Sequence, residues 1–247
     1  MFPGRTDRVV LDGVHDPSRL APWAEYGTEQ VNEDALRHWA GSTLDGIQSA
    51  AVRRPLAIGP YRVDRHVAPL FEYAVLGDDT EEVDALIAGV LRTLKQAADT
   101  GHAEPDAFLT AFLAAALTGD GSAYGSTQTA YLCADTPGPR DTEVHWRAIE
   151  RTRARHPLFG TLLSNVTPCS FWPRPKEQPI TTVHNNIPAL MVNATGDPRV
   201  PYSGARQMHA RWPASRFVTV TGSHRHGVGG SLRPTSRVLP YGRHVPQ

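Results

Sequence analysis

The stretch PALMVNATGDPRVPYSGARQMHARWPASRFVTVTGSHRHGV, residues 188–228, decides the fold. Two apolar runs, Ala189–Ala194 and Arg216–Val220, flank a segment, Ser203–Trp212, in which Ala205, Met208 and Trp212 recur at helical spacing. Continuous apolar runs are what parallel strands buried on both faces require. Strand, helix and strand in this order predict a βαβ unit of a parallel sheet, and hence an α/β fold.

In open α/β sheets, function gathers at the carboxyl ends of the strands. After the first run comes Gly196-Asp197-Pro198, and after the second comes Ser223-His224-Arg225-His226-Gly227. Gly196 and Pro198 bracket Asp197 in a turn that aims its carboxylate across the strand tops. Gly227 lets the following loop pass close to other backbone. A serine hydroxyl is a weak nucleophile at neutral pH and needs a histidine base. That histidine needs a carboxylate to fix its tautomer. Acid first and histidine later is the chain order of these groups in α/β-hydrolases. Asp197 and His226 are thus the candidate acid and base, with His224 as the competing histidine. Asp12 also ends an apolar run and is weighed as an alternative acid against a plain turn residue before Gly13.

Outward from this stretch, Arg8–Gly13 reads as a buried strand ended by Asp-Gly. A chain that opens on such a strand reads as a fold entered partway. Four helices are expected at Thr28–Ala40, Asp79–Ala98, Asp106–Leu117 and Thr142–Arg155. Gly/Pro-rich joints fall at 119–125 and 136–140. The region from about 20 to 180 therefore reads as all-helical. Residues 229–247 are rich in Arg, Pro, Gly and Ser without periodicity and read as a poorly ordered tail.

Composition narrows the function. With 247 residues, 40% hydrophobic and 20% charged, the chain has enough apolar material for one sizeable core and a cap. A formal net charge of +0 and the lack of a basic run give no nucleic-acid footprint. No apolar stretch approaches the roughly 18 residues of a membrane span, and Met1–Asp7 has no signal-peptide core. The two cysteines, Cys133 and Cys169, read either as buried thiols or as one disulfide. Neither a CxxC nor a Cys/His ligand spacing occurs, so no metal or cofactor is expected.

Residues 188–228, with FPGRTDRVVLDGVHDP at 2–17 and CSFWPRP at 169–175, resemble the tripeptidyl aminopeptidase-like α/β-hydrolases, secreted bacterial serine exopeptidases. The resemblance covers residues 1 to about 230. It implies an incomplete α/β-hydrolase fold in which parallel strands carry a helical cap insertion. On this reading residues 1–20 hold a strand that follows the missing nucleophile elbow. Residues 21–180 form the cap, 181–228 carry acid and base, and 229–247 are the tail. It also implies that Asp197 is the acid, that His226, directly before Gly-Val, is the base, and that Cys133 and Cys169 form a disulfide. Location is implied to be extracellular, and substrates to be peptides or small esters once an N-terminal half completes the fold.

The nucleophile is the gap. No Gly-x-Ser-x-Gly elbow occurs in the sequence, and in Gly121-Ser122-Ala123-Tyr124-Gly125 the first glycine is one position too close. The chain alone is therefore expected to be inactive, as a truncated frame would be. The alternatives are a non-catalytic interaction module and an esterase- or lipase-type fragment. Trp23, Tyr26, Trp39, Phe71, Tyr73, Trp146 and Trp172 are read chiefly as packing residues, with a groove lining as the alternative. Asp78, Asp79, Glu81 and Glu82 are read as helix N-terminal acids, and His184 and His209 as surface or packing residues.

Overall fold

A computed structural model describes residues 3–15, 28–75, 81–118, 123–135, 138–173, 183, 186–228 and 238–240. The strands are β1 (Val9–Asp12), β2 (Leu56–Ile58), β3 (Tyr61–Val63), β4 (His102–Ala103), β5 (Ala189–Ala194), β6 (Ser215–Val220) and β7 (Val238–Pro240). The helices are α1 (Glu29–Ala40), α2 (Thr43–Arg53), α3 (Ala68–Val75), α4 (Glu81–Thr100), α5 (Ala107–Thr118), α6 (Ala123–Asp135), α7 (Thr142–Thr152), α8 (Gly160–Leu163) and α9 (Tyr202–Arg211). They fall into two compact units. One comprises Met1–Leu20, Leu76–Asp79 and Gln178–Gln247, the other Ala21–Val75 and Thr80–Glu177.

The first unit holds a sheet in the order β1-β5-β6-β7, with β1, β5 and β6 parallel. Leu11, Met191 and Phe217 lie side by side across the three parallel strands. α9, which joins β5 to β6, covers this face with Ala205 and Met208, joined by Trp212 at its C-cap. Burying an apolar side chain of this size contributes about 1.5–3 kcal/mol, so this contact dominates the unit. Trp212 is fully buried, and its indole N–H donates to the Ile187 carbonyl at 2.9 Å. On the opposite face Val192, Ala194, Val220 and Val228 form a second cluster near the strand ends. Towards the strand starts that face is open, with Val10 66% and Leu190 36% exposed.

One expectation about the tail is corrected here. Val238–Pro240, inside the stretch read as structureless, pairs antiparallel with Val218–Val220. Three residues supply too little periodicity to be seen in a Pro- and Arg-rich sequence.

The second unit holds α1 to α8, and the expectation of an all-helical region is corrected too. β3, β2 and β4 form a small sheet, antiparallel between β2 and β3 and parallel between β2 and β4. The Gly59-Pro60 hairpin makes it: Gly59 has φ +51 and its N–H donates to the Ala103 carbonyl at 2.8 Å. α4 buries Ile87, Val90, Leu91, Leu94 and Ala97, the stripe its spacing predicts. Glu81 and Glu82 open that helix as first-turn acids. Tyr73 packs on Phe159 at 6.4 Å, while Trp146 is 52% exposed. Cys133 on α6 and Cys169 form a disulfide spanning 36 residues. Trp23, Tyr26, Asp78, Asp79, Ser122 and His184 lie outside the described residues.

Candidate active site

The site is built at the carboxyl ends of β1, β5 and β6, all within the first unit. β5 runs into a turn whose backbone is laced to the loop after β6. Thr195 N–H donates to the Val220 carbonyl at 2.9 Å, and Gly196 N–H to the Ser223 carbonyl at 3.1 Å. A side chain at Gly196 would lie 2.5 Å from His224 Nδ1, so glycine is what lets the two loops touch. Asn193, one residue before the end of β5, ties the strand tops together. Its Oδ1 accepts from Val14 N–H at 3.0 Å, and its amide donates to the carbonyls of Ala194 and Val200.

Asp197 is 1% exposed. One carboxylate oxygen, Oδ1, accepts the N–H groups of Arg199 and Val200, both at 2.8 Å. The other, Oδ2, lies 3.0 Å from His226 Nδ1. A buried carboxylate is stable only when its lone pairs are met in this way. The turn thus engages one oxygen of Asp197 and leaves the other for the imidazole. His226 is 40% exposed, so the pair has a dry end and a wet end.

The hydrogen bond that His226 Nδ1–H donates to Asp197 raises the pKa of His226 above the ordinary imidazole value. Burial opposes it; the charges of Asp197 and Asp12 add to the rise and that of Arg199 subtracts from it. With Nδ1 bound to a carboxylate, the neutral ring carries its lone pair on Nε2, the atom free to act as a proton acceptor. His224, the competing histidine, packs against Gly196 and not on the Asp197 carboxylate.

Two residues at this site make contacts that the sequence did not reveal. Asp12, weighed as an acid or a turn residue, accepts the Val228 N–H at 3.0 Å, across a separation of 216 residues. Gly13 has φ +67, and a side chain there would lie 2.6 Å from His226 Cε1. The only available signal was their place at the top of a strand. His209, on α9, bonds Ser215 Oγ at 2.7 Å and stacks near Phe217, and burial lowers its pKa. Among the described residues no three His, Cys, Asp or Glu side chains converge as a metal site requires. No helix among them is long and apolar enough to cross a membrane.

Comparison with known proteins points the same way. Residues 156–235 match the family described as TAP-like protein. The tripeptidyl aminopeptidase of Streptomyces lividans is 28% identical over 268 residues, covering 95% of this chain and 47% of the relative. That of Streptomyces coelicolor is also 28% identical, covering 95% of this chain and 46% of the relative. The chain therefore spans about half the length of the curated relatives it matches. A parallel sheet with its α9 crossover, the match over residues 156–235 and the likeness to these aminopeptidases together give the chain a TAP-like segment within an incomplete α/β fold.

Proposed function

We propose that Asp197 and His226 are the acid and base of a serine-hydrolase triad that cleaves peptide bonds, with the nucleophile supplied by polypeptide outside these 247 residues. The observation that carries this reading is the 3.0 Å bond between His226 Nδ1 and the buried Asp197 carboxylate at the ends of β5 and β6. In the completed site, His226 Nε2 takes the proton of the attacking serine hydroxyl and returns it to the leaving amine. Asp197 holds the tautomer and stabilises the imidazolium between those steps. Peptides are the proposed substrates because the matched relatives are named tripeptidyl aminopeptidases. The same triad serves esters, and specificity rests with surfaces beyond the pair.

The chain alone is proposed to be inactive. No Gly-x-Ser-x-Gly occurs in it, and the oxyanion hole of this fold uses the amide after that serine. An extracellular location is proposed because the Cys133–Cys169 disulfide suits an oxidising compartment. The test is to incubate the purified chain with aminoacyl-nitroanilides and nitrophenyl esters. No turnover is expected; turnover abolished by Asp197→Asn and by His226→Ala would contradict the proposed inactivity. Adding the unmatched half of a Streptomyces relative is expected to yield peptidase activity that depends on both residues.

A non-catalytic interaction module is the second reading. β1 is an edge strand among the described residues, and its Val10 is 66% exposed. Such an edge recruits another strand or aggregates. This reading predicts partner binding that is indifferent to Asp197 and His226.

A further inference from the structure

Resting on the reading of His226 as the base, we propose that Asp12 is a positioning residue that holds the His226 loop in place from the end of β1. The sheet order makes the need plain. His226 follows β6, its acid follows β5, and Asp12 ends β1 on the far side of β5. Neighbouring strands lie about 4.8 Å apart, so the loop crosses roughly 10 Å of sheet top before it reaches β1. β6 itself does nothing to bring it there.

Three contacts do. Val228, two residues beyond the imidazole, donates its N–H to Asp12 Oδ1 at 3.0 Å. Its side chain is buried with Val192, Ala194 and Val220. The His226 ring lies over Gly13, where an added side chain would come within 2.6 Å of Cε1 and 2.9 Å of Nδ1. The left-handed backbone of Gly13, φ +67, and its N–H bond to the Val192 carbonyl at 3.1 Å set the floor under the ring. The two aspartates thus divide the work. Asp197 grips the ring, and Asp12 grips the backbone just past it. A carboxylate engaged with a backbone amide is a strong anchor because the bond is charge-assisted.

Other charges also act on the ring: Asp197 and Asp12 favour the imidazolium, Arg199 opposes it, and His224 and Arg225 lie in the same loop. A test must therefore separate anchoring from charge. Asp12→Ala removes both, and Asp12→Asn removes the charge while keeping a neutral acceptor. In Asp12→Ala the Val228 amide is expected to exchange about tenfold faster or more, and in Asp12→Asn within about threefold of wild type. The His226 titration midpoint, followed by NMR, is expected to fall further in Asp12→Ala than in Asp12→Asn. Unchanged Val228 exchange in Asp12→Ala overturns the proposal. So do equal midpoint shifts in the two variants, since these mark a pure charge effect. If Asp12→Ala does not fold, Asp12→Glu takes its place, because the longer side chain overshoots the amide; wild-type exchange in that variant also overturns the proposal. None of these readouts needs turnover, so they stand or fall apart from the proposed peptidase activity.

Discussion

Replacing Asp197 by alanine and by asparagine separates its two tasks. The carboxylate accepts two backbone N–H groups through Oδ1 and the imidazole through Oδ2, while 1% exposed. Alanine leaves the Val200 N–H unpaired in a buried place, and that of the half-buried Arg199 with only partial access to water. A net bond to a charged group contributes about 1.5–3 kcal/mol, and an unpaired buried N–H costs about 1–3 kcal/mol. Counting Val200 in full and Arg199 in part gives a loss of about 3–4 kcal/mol. Asparagine keeps a neutral oxygen for both amides, so its loss is about 1–2 kcal/mol. The gap of about 2 kcal/mol corresponds to roughly 30-fold in the unfolding equilibrium. There is a further consequence. The two amides hold the asparagine oxygen, so its NH₂ faces His226 Nδ1, which must then accept and push its proton to Nε2. That is the wrong tautomer for a base, and in a completed triad such a change costs roughly 10⁴-fold in kcat. Hydrogen exchange of the β5 and β6 amides in urea reads this unit by itself. The reasoning is refuted if alanine costs less than 1 kcal/mol or if the two variants are equally stable.

Further outcomes follow from the same geometry. Gly13→Ala is expected to cost about 1–2 kcal/mol from the left-handed backbone alone and to displace the His226 ring from Asp197, seen as a loss of the raised titration midpoint. Stability should depend on pH with a sign set by the raised His226 pKa. The folded state binds this proton more tightly. The contribution is therefore full below the unfolded value of about 6.5 and is lost as pH rises through the folded value. Urea unfolding of wild type minus His226→Gln, at pH 5.5 and 8.5, should show the larger difference at the lower pH. His209, whose pKa is lowered, acts with the opposite sign and cancels in that difference. Changing both Cys133 and Cys169 to serine is expected to destabilise the second unit by about 4 kcal/mol from the 36-residue loop, read by exchange in α6 and α7.

How much of this was legible depended on length and periodicity. β5, α9 and β6 were readable because each buries a full apolar face or stripe, with Ala205 and Met208 on the helix and Trp212 at its C-cap. The small sheet was not, because Leu56–Ile58, Tyr61–Val63 and His102–Ala103 are each two or three residues long. α2 escaped notice although Leu44, Ile47, Ala50 and Ala51 fill its buried face, since small residues dilute the stripe. α6 begins at Ala123, inside a stretch whose glycines read as a joint. At the site, the residue types and their place after strands were visible. Convergence was not: whether His224 or His226 meets the carboxylate depends on the path of a five-residue loop. The anchoring bond from Val228 to Asp12 joins backbone to side chain across the whole chain, and no local pattern encodes it.

The account rests on a carboxylate at 197 gripping the imidazole at 226. The most direct test is the NMR titration of His226 ring resonances in wild type and in Asp197→Asn. A midpoint above 6.5 in the wild type that falls in the variant is the predicted result. A midpoint at or below 6.5 that ignores residue 197 contradicts the pairing, and with it the hydrolase reading.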